Sequence, residues 1–343
     1  MRYKLLGQSG LRVSELCLGT MTFGEDWGWG ASRDESHRIF DAYVEAGGNF
    51  IDTSNNYTNG TSEKLVGAFA KADRDHFVIA TKYSLSERAT DPNFGGNHRK
   101  NLRRSIEGSL NRLGADYIDL LWLHMWDAMT PVEEVMRALD DLIRVGKILY
   151  IGISDTPAWI VSQANMLAGL RGWSQFIAYQ GEYSLASRTP ERDLLPMTQA
   201  LGMTFLAWGV LEGGELTGKY NSPSSEPKRS EDTSERIKGI SSIVMNSAKI
   251  TGCTPSQVAL NWVRRRPHQV IPIIGARSEK QLLDNLGCLD FELSSEQIEE
   301  LDKAGPIDLG FPHSFLRSDH VRGLIFGNTF PHIDANRWNW GQL

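Results

Sequence analysis

Short, nearly continuous apolar runs recur along this chain and alternate with longer stretches in which apolar residues return every three or four positions. The runs are ELCLGT (15–20), NFIDTS (49–54), FVIATK (77–82), YIDLLWLH (117–124), ILYIGIS (148–154), FIAYQGEYS (176–184), MTFLAWG (203–209) and VIPIIGA (270–276), eight in all. Strands covered on both faces read this way, because both sides of the pleat meet apolar neighbours. Between the runs, Leu102, Ile106, Leu110 and Leu113 share one helix face at spacings of four, four and three. Helix starts are marked as well. Thr130-Pro131 with Glu133, and Thr254-Pro255 with Gln257, each combine a cap residue, a proline at the first helical position and a capping-box partner; Thr156-Pro157 gives the first two. The alternation predicts an α/β fold, a (β/α)8 TIM barrel in preference to an open doubly wound sheet. An N-terminal β-hairpin is expected from YKLLGQSGLRVS, a long polar loop over 210–234 after strand 7, and an extended aromatic-rich C-terminal tail over 305–343. That tail either covers the barrel mouth or forms a subunit contact, the second giving a homo-oligomer. No Pro-, Gly- or Ser-rich linker divides the chain, so residues 1–343 read as a single domain.

Charge narrows the partners. Lys plus Arg number 36 against 42 Asp plus Glu, a net charge of −6, which disfavours nucleic acid and anionic membranes. The basic runs at 98–104 and 264–267 read as solvated helix faces and ends. MRYKLLGQSG lacks the apolar stretch of a signal peptide, and no run reaches the ~18 apolar residues of a membrane span. A cytoplasmic protein is the expectation. Cys17, Cys253 and Cys288 are odd in number and lack CxxC spacing, so they read as small core residues in a reducing compartment. The eight histidines form no HxH or HExxH pair, and no metal site is expected.

Polar residues fall at the ends of the runs: Asp52, Lys82, His124, Ser154 with Asp155, Gln180, Trp208, and Gly275 with Arg277. In a barrel these C-terminal strand ends converge on one mouth, where sites of this fold are built. Any one of them alone reads as a structural polar contact; the joint placement points to chemistry. Asp52 and Lys82 end neighbouring strands and can pair. A cationic Lys82 beside Tyr57 would stabilise the tyrosinate, lowering the phenol pKa from its usual ~10 toward the range of a general acid. A neutral His124 could donate a hydrogen bond to a carbonyl oxygen. Protonation of an oxygen is the chemistry suggested. A competing reading makes Lys82 a Schiff-base nucleophile of an aldolase-type barrel. Trp27, Trp29 and Trp126 lie in loops expected to rim the mouth; they either pack together or line a pocket for an aromatic or apolar aldehyde or ketone. GGELTGKY (213–220) approaches a phosphate-binding loop, but Tyr220 stands where the magnesium-binding hydroxyl belongs, which argues against an ATPase. Ser278 and Gln281 have capping-box spacing, and Arg277 beside that helix start makes an anion site.

In order along the chain, IDTSNNY with SEKLVG, IATKY, LLWLH, YIGISD, YQGEYSL, GELTGKY and IPIIGARSEKQLLDN resemble the aldo-keto reductases over essentially residues 3–304. Within that family the chain is most similar to the aryl-alcohol dehydrogenase-like and potassium-channel β-subunit-like branch. The resemblance implies a catalytic tetrad, with Tyr57 as proton donor, Lys82 tuning it, Asp52 holding Lys82, and His124 orienting the carbonyl. It also implies NADPH/NADP+ lying across the mouth without a Rossmann fold. Ser154, Asp155 and Gln180 match positions that hold the carboxamide, and Trp208 the platform under the nicotinamide ring. Gly209, Leu211, Gly214, Gly218 and Lys219 match a loop over the pyrophosphate. Gly275 and Arg277 precede Gln281 and Asn285 near the adenosine, and Arg277 would clamp a 2′-phosphate, favouring NADP over NAD. Asp155 replaces the usual asparagine and can accept but not donate; Trp208 replaces a frequent tyrosine, and Asp284 a common glutamate. The implied activity is reduction of a small carbonyl substrate to its alcohol by hydride transfer. The branch also allows a barrel that keeps its cofactor while acting through a protein partner; the intact tetrad argues against it.

Overall fold

Each of the eight apolar runs forms one strand of a closed parallel barrel: β3 (Cys17–Gly19), β4 (Phe50–Asp52), β5 (Val78–Tyr83), β6 (Ile118–Leu123), β7 (Ile148–Ser154), β8 (Ala178–Glu182), β9 (Thr204–Trp208) and β10 (Val270–Gly275). They neighbour one another in chain order, and β10 pairs with β3 to close the ring. The molecule is described here from a computed structural model that covers residues 1–220 and 233–333. Residues 221–232 of the expected polar loop and the end of the expected tail (334–343) lie outside the described residues.

Helices α1 (Arg33–Glu45) to α5 (Ala158–Arg171) follow β3 to β7 in turn, with α2 (Thr61–Ala70), α3 (Arg99–Leu113) and α4 (Val132–Arg144) between them. After β8 and β9 come α6 (Leu194–Ala200), α7 (Glu235–Thr251) and α8 (Pro255–Arg264); α9 (Glu279–Leu286) follows β10, and α10 (Ser295–Ala304) follows α9. Successive strand residues point alternately inward and outward. Leu18, Ile51 and Ile79 therefore meet the helices, where Leu102, Ile106, Leu110 and Leu113 of α3 are buried with them. Cys17, Phe50, Val78, Ala80, Leu120, Trp122 and Ile271 fill a second, inner cluster. Gly152 makes room there: a Cβ on it would lie 2.3 Å from the Trp122 ring.

The expected hairpin is present, β1 (Tyr3–Leu5) pairing antiparallel with β2 (Arg12–Ser14). It sends Leu6 and Val13 into the inner cluster, both fully buried, and so closes the floor opposite the mouth. The capping box at Thr254 and Gln257 forms as expected. The box expected at Thr130 and the cap expected at Thr156 do not: α4 and α5 start one residue later, capped by Pro131 and Pro157 without a side-chain bond. The hydroxyls have nearer acceptors, Thr130 giving to Asp127 Oδ2 at 2.7 Å and Thr156 to the Ser154 carbonyl at 2.7 Å. Beyond α10, the described part of the tail is held on the flank, where Arg188 donates to the Gly305 carbonyl and Arg192 to that of Asp308. It contributes nothing to the mouth cavity. Among the described residues no helix is long and apolar enough to cross a membrane.

Candidate active site

Asp52 ends β4 and stands in register with Ala80, two residues before Lys82 on β5, so strand pairing alone brings the two charges together. Lys82 Nζ forms an ion pair with Asp52 Oδ2 and donates to the Thr53 carbonyl at 2.9 Å. Both side chains are buried, and Lys82 Nζ lies 4.6 Å from the centre of the Tyr57 ring. Gln180 on β8 donates its amide to Asp52 Oδ1 at 3.0 Å. His124, just past β6, sets its ring edge-on to Tyr57 with centres 6.2 Å apart. A buried group of hydroxyls fixes the loop that carries Tyr57: Ser62 Oγ lies 2.8 Å from Thr20 Oγ1 and 2.9 Å from Thr53 Oγ1, and Thr58 Oγ1 donates to the Phe23 carbonyl at 2.7 Å.

Backbone strain collects on the same side. The non-glycine residues with positive φ among those described are Thr58, Asn59, Ser84, Ala128, Asp155 and Glu212. All six lie in loops that follow the C-terminal ends of barrel strands. Left-handed backbone is costly outside glycine, and it persists only where surrounding contacts impose it.

Burial pushes the Tyr57 phenol above its usual value; the Lys82 charge pulls the other way and the Asp52 charge adds to the rise. The direction is opposite to that expected from the sequence, because desolvation of a tyrosinate outweighs one neighbouring cation already paired to a carboxylate. Burial opposes the Lys82 charge too, but Asp52 and the Tyr57 oxygen outweigh it and raise the amine above its ordinary range. Burial, then Lys82, lower His124 to about 3, so its imidazole is neutral. Burial raises Asp155, against the hydrogen bond it accepts from Trp208 Nε1 at 3.3 Å. The Tyr57 proton is therefore kept at rest, beside a cation able to stabilise the charge left behind.

A cavity of about 930 Å³ opens over these groups. Ser154, Asp155, Gln180, Trp208, Gly209, Leu211, Gly214, Lys219, Gly275, Arg277, Gln281 and Asn285 all line it, as do Asp52, Tyr57, His124 and Trp27. Lys82 sits behind that wall. Three expected residues are elsewhere. Gly218 turns toward α7, where a Cβ on it would meet the Met245 side chain at 2.7 Å. Trp29 packs on the far side of Trp27, ring centres 5.7 Å apart, and Trp126 packs against the helix-side core. Gln281 completes only half of its capping box: its N–H bonds Ser278 Oγ, but its side chain accepts from the Arg277 N–H at 2.9 Å. Sequence reasoning missed Met21, Leu85 and Met125, which line the cavity with Trp27, and Lys280, which lines it near Arg277. Leu85 and Met125 each come two residues past a strand end, so reading slightly beyond each run would have found them.

The donor set suits an amide. Ser154 Oγ is buried with no well-formed hydrogen bond, close enough to the Asp155 carboxylate to favour its charge, and Asp155 and Gln180 line the same wall. A ligand carbonyl could accept from Ser154, and its NH2 could give to the Asp155 carboxylate and Gln180 Oε1. Among the described residues no cluster of His, Cys, Asp or Glu could hold a metal ion.

A closed parallel barrel thus carries, at the C-terminal ends of its strands where sites of (β/α)8 barrels are built, a buried lysine-carboxylate pair with a tyrosine and a histidine beside it. The chain belongs to the aldo/keto reductase family, whose profile matches residues 15–306. It is 41% identical over 322 residues to a norsolorinic acid reductase of Aspergillus flavus, covering 91% of this chain and 83% of that one. Over 327 residues it is 38% identical to an aryl-alcohol dehydrogenase of Pestalotiopsis microspora, covering 92% and 85%. A putative aryl-alcohol dehydrogenase of Saccharomyces cerevisiae is 36% identical over 340 residues, covering 93% and 90%.

Proposed function

We propose that this protein reduces an aryl aldehyde or ketone to the alcohol with NADPH, and that Tyr57 gives the proton. The observation that carries the reading is the placement of Lys82, fixed as a cation by Asp52 and set against the Tyr57 ring. When bound, NADPH would supply the hydride for the carbonyl carbon. Neutral His124 donates to the substrate oxygen and orients it; Tyr57 gives that oxygen its proton, and Lys82 stabilises the resulting tyrosinate. Trp208 would lie against the nicotinamide, its plane fixed by the bond to Asp155. Ser154, Asp155 and Gln180 would hold the carboxamide, the loop from Gly209 to Lys219 the pyrophosphate, and Gln281 and Asn285 the adenosine. Arg277 and Lys280 would favour a 2′-phosphate. Met21, Trp27, Leu85 and Met125 would form the substrate wall, in keeping with the aryl alcohols named for two relatives. The reading takes the chain as one cytoplasmic domain, a setting that suits three free cysteines. A Schiff-base role for Lys82 would require a neutral amine, which its ion pair opposes.

Tyr57→Phe tests the assignment. Turnover of aromatic aldehydes should fall by about 10²- to 10⁴-fold while NADPH affinity, followed by cofactor fluorescence, is kept. Near-normal turnover would remove Tyr57 as the donor.

A further inference from the structure

Gln180 is only 3% exposed and reaches across the barrel to donate Nε2–H to Asp52 Oδ1 at 3.0 Å. The other oxygen of that carboxylate holds the Lys82 ammonium, which lies 4.6 Å from the centre of the Tyr57 ring. Asp52 is thereby gripped at both oxygens and cannot rotate off Lys82. Nor can the glutamine amide turn over, since that would set its carbonyl oxygen against a carboxylate oxygen. Gln180 Oε1 is left to the cavity wall that the residue lines. Its register partner on β7 is Ser154, whose buried hydroxyl makes no well-formed hydrogen bond and lies beside Asp155.

We infer that Gln180 is a positioning residue for the proton donor: acting through Asp52 and Lys82, it sets how readily Tyr57 gives up its proton, and it couples that readiness to an amide bound beside Ser154. The inference rests on the proposed carbonyl reduction and goes further, making one side chain both cofactor ligand and brace of the ion pair. The Asp52 charge opposes ionisation of Tyr57 and the Lys82 charge favours it. The Nε2–H dipole turns its positive end to Asp52 and disperses the carboxylate charge; without it, the phenol holds its proton more tightly. An NH2 group donating to Oε1 polarises the glutamine amide and strengthens its bond to Asp52. Occupancy by the cofactor amide thus eases formation of the tyrosinate. Among the described residues, the other titratable groups facing this cluster are Asp155 beyond β7, which also opposes ionisation, neutral His124 beyond β6, and the Cys17 thiol on β3, kept protonated by burial and Asp52.

The test uses the full chain with difluorotyrosine in place of Tyr57, which brings the phenol titration toward neutral pH, where fluorine NMR follows it in the cofactor-free protein. In Gln180→Met, of similar length but without the amide, the midpoint should rise by about half a pH unit. Added NADP+ should lower the midpoint in the parent and lower it less in the variant. Equal midpoints without cofactor would overturn the inference and leave Gln180 as a carboxamide ligand alone; equal NADP+ shifts would overturn the coupling. Gln180→Leu repeats the comparison should the methionine variant fail to fold. Failure of the donor reading itself appears separately, as turnover retained in Tyr57→Phe.

Discussion

His124 carries a penalty that depends on pH. Its ring is buried beside a cation and titrates at about 3, against an ordinary 6.5, so between those values the unfolded chain takes up a proton that the folded one refuses. Stability then rises with pH across that window. The contribution is complete above pH 6.5 and is lost progressively as pH falls toward 3. Replacing the ring removes this dependence. Melting temperatures of His124→Gln measured from neutral pH down to about pH 4 should fall less steeply than those of the parent; parallel slopes would mean that His124 is not held neutral. At this scale the sequence told which residues end strands, because the last residue of an apolar run is visible in the run itself. It did not tell the direction of the Tyr57 shift. That direction depends on how completely the loop buries the phenol, and the loop is shaped by hydroxyl contacts among Thr53, Ser62 and the distant Thr20, and from Thr58 to the Phe23 carbonyl, none of which the spacing of residues reports. The Gln180 contact with Asp52 spans 128 positions and has no local signature at all.

Strands were more legible than helix starts, and helix starts more than loops. A strand covered on both faces is mostly apolar along its length, so all eight runs could be read directly. The Thr254 cap was readable because Gln257 is both present and free to answer it. Thr130 fits the same pattern but is drawn away by Asp127, whose carboxylate also accepts from the Met129 and Thr130 N–H groups, both at 2.9 Å. That Trp29, Trp126 and Gly218 lie off the cavity was unreadable for a related reason: no periodicity reports which way a loop residue points. The start of α9 carries its own prediction. The Glu279 and Gln281 N–H groups are already taken by Glu35 Oε1 and Ser278 Oγ, so the anion contact rests on the helix dipole and on the charge-assisted reach of Arg277. Arg277→Ala should raise the NADPH dissociation constant by about ten- to a hundredfold and leave that of NADH nearly unchanged. Equal losses for both, measured by fluorescence titration, would end the 2′-phosphate assignment.

The whole barrel separates a packed floor from a chemical mouth. At the floor, Leu6 of the hairpin is fully buried in the inner cluster. Leu6→Ala should cost about 2–5 kcal/mol in denaturant unfolding and leave NADPH affinity unchanged, since the cavity opens at the other end. A matching loss of affinity would show that floor and mouth are not independent. The crowding of left-handed residues into the mouth loops has a consequence for directed evolution of the protein. Laboratory selection for heat survival alone will find glycine or flexible replacements at Ser84, Asp155 or Glu212 attractive, and each such gain would loosen the geometry that chemistry requires. A screen that scores turnover alongside heat survival will push its stabilising substitutions down toward the hairpin.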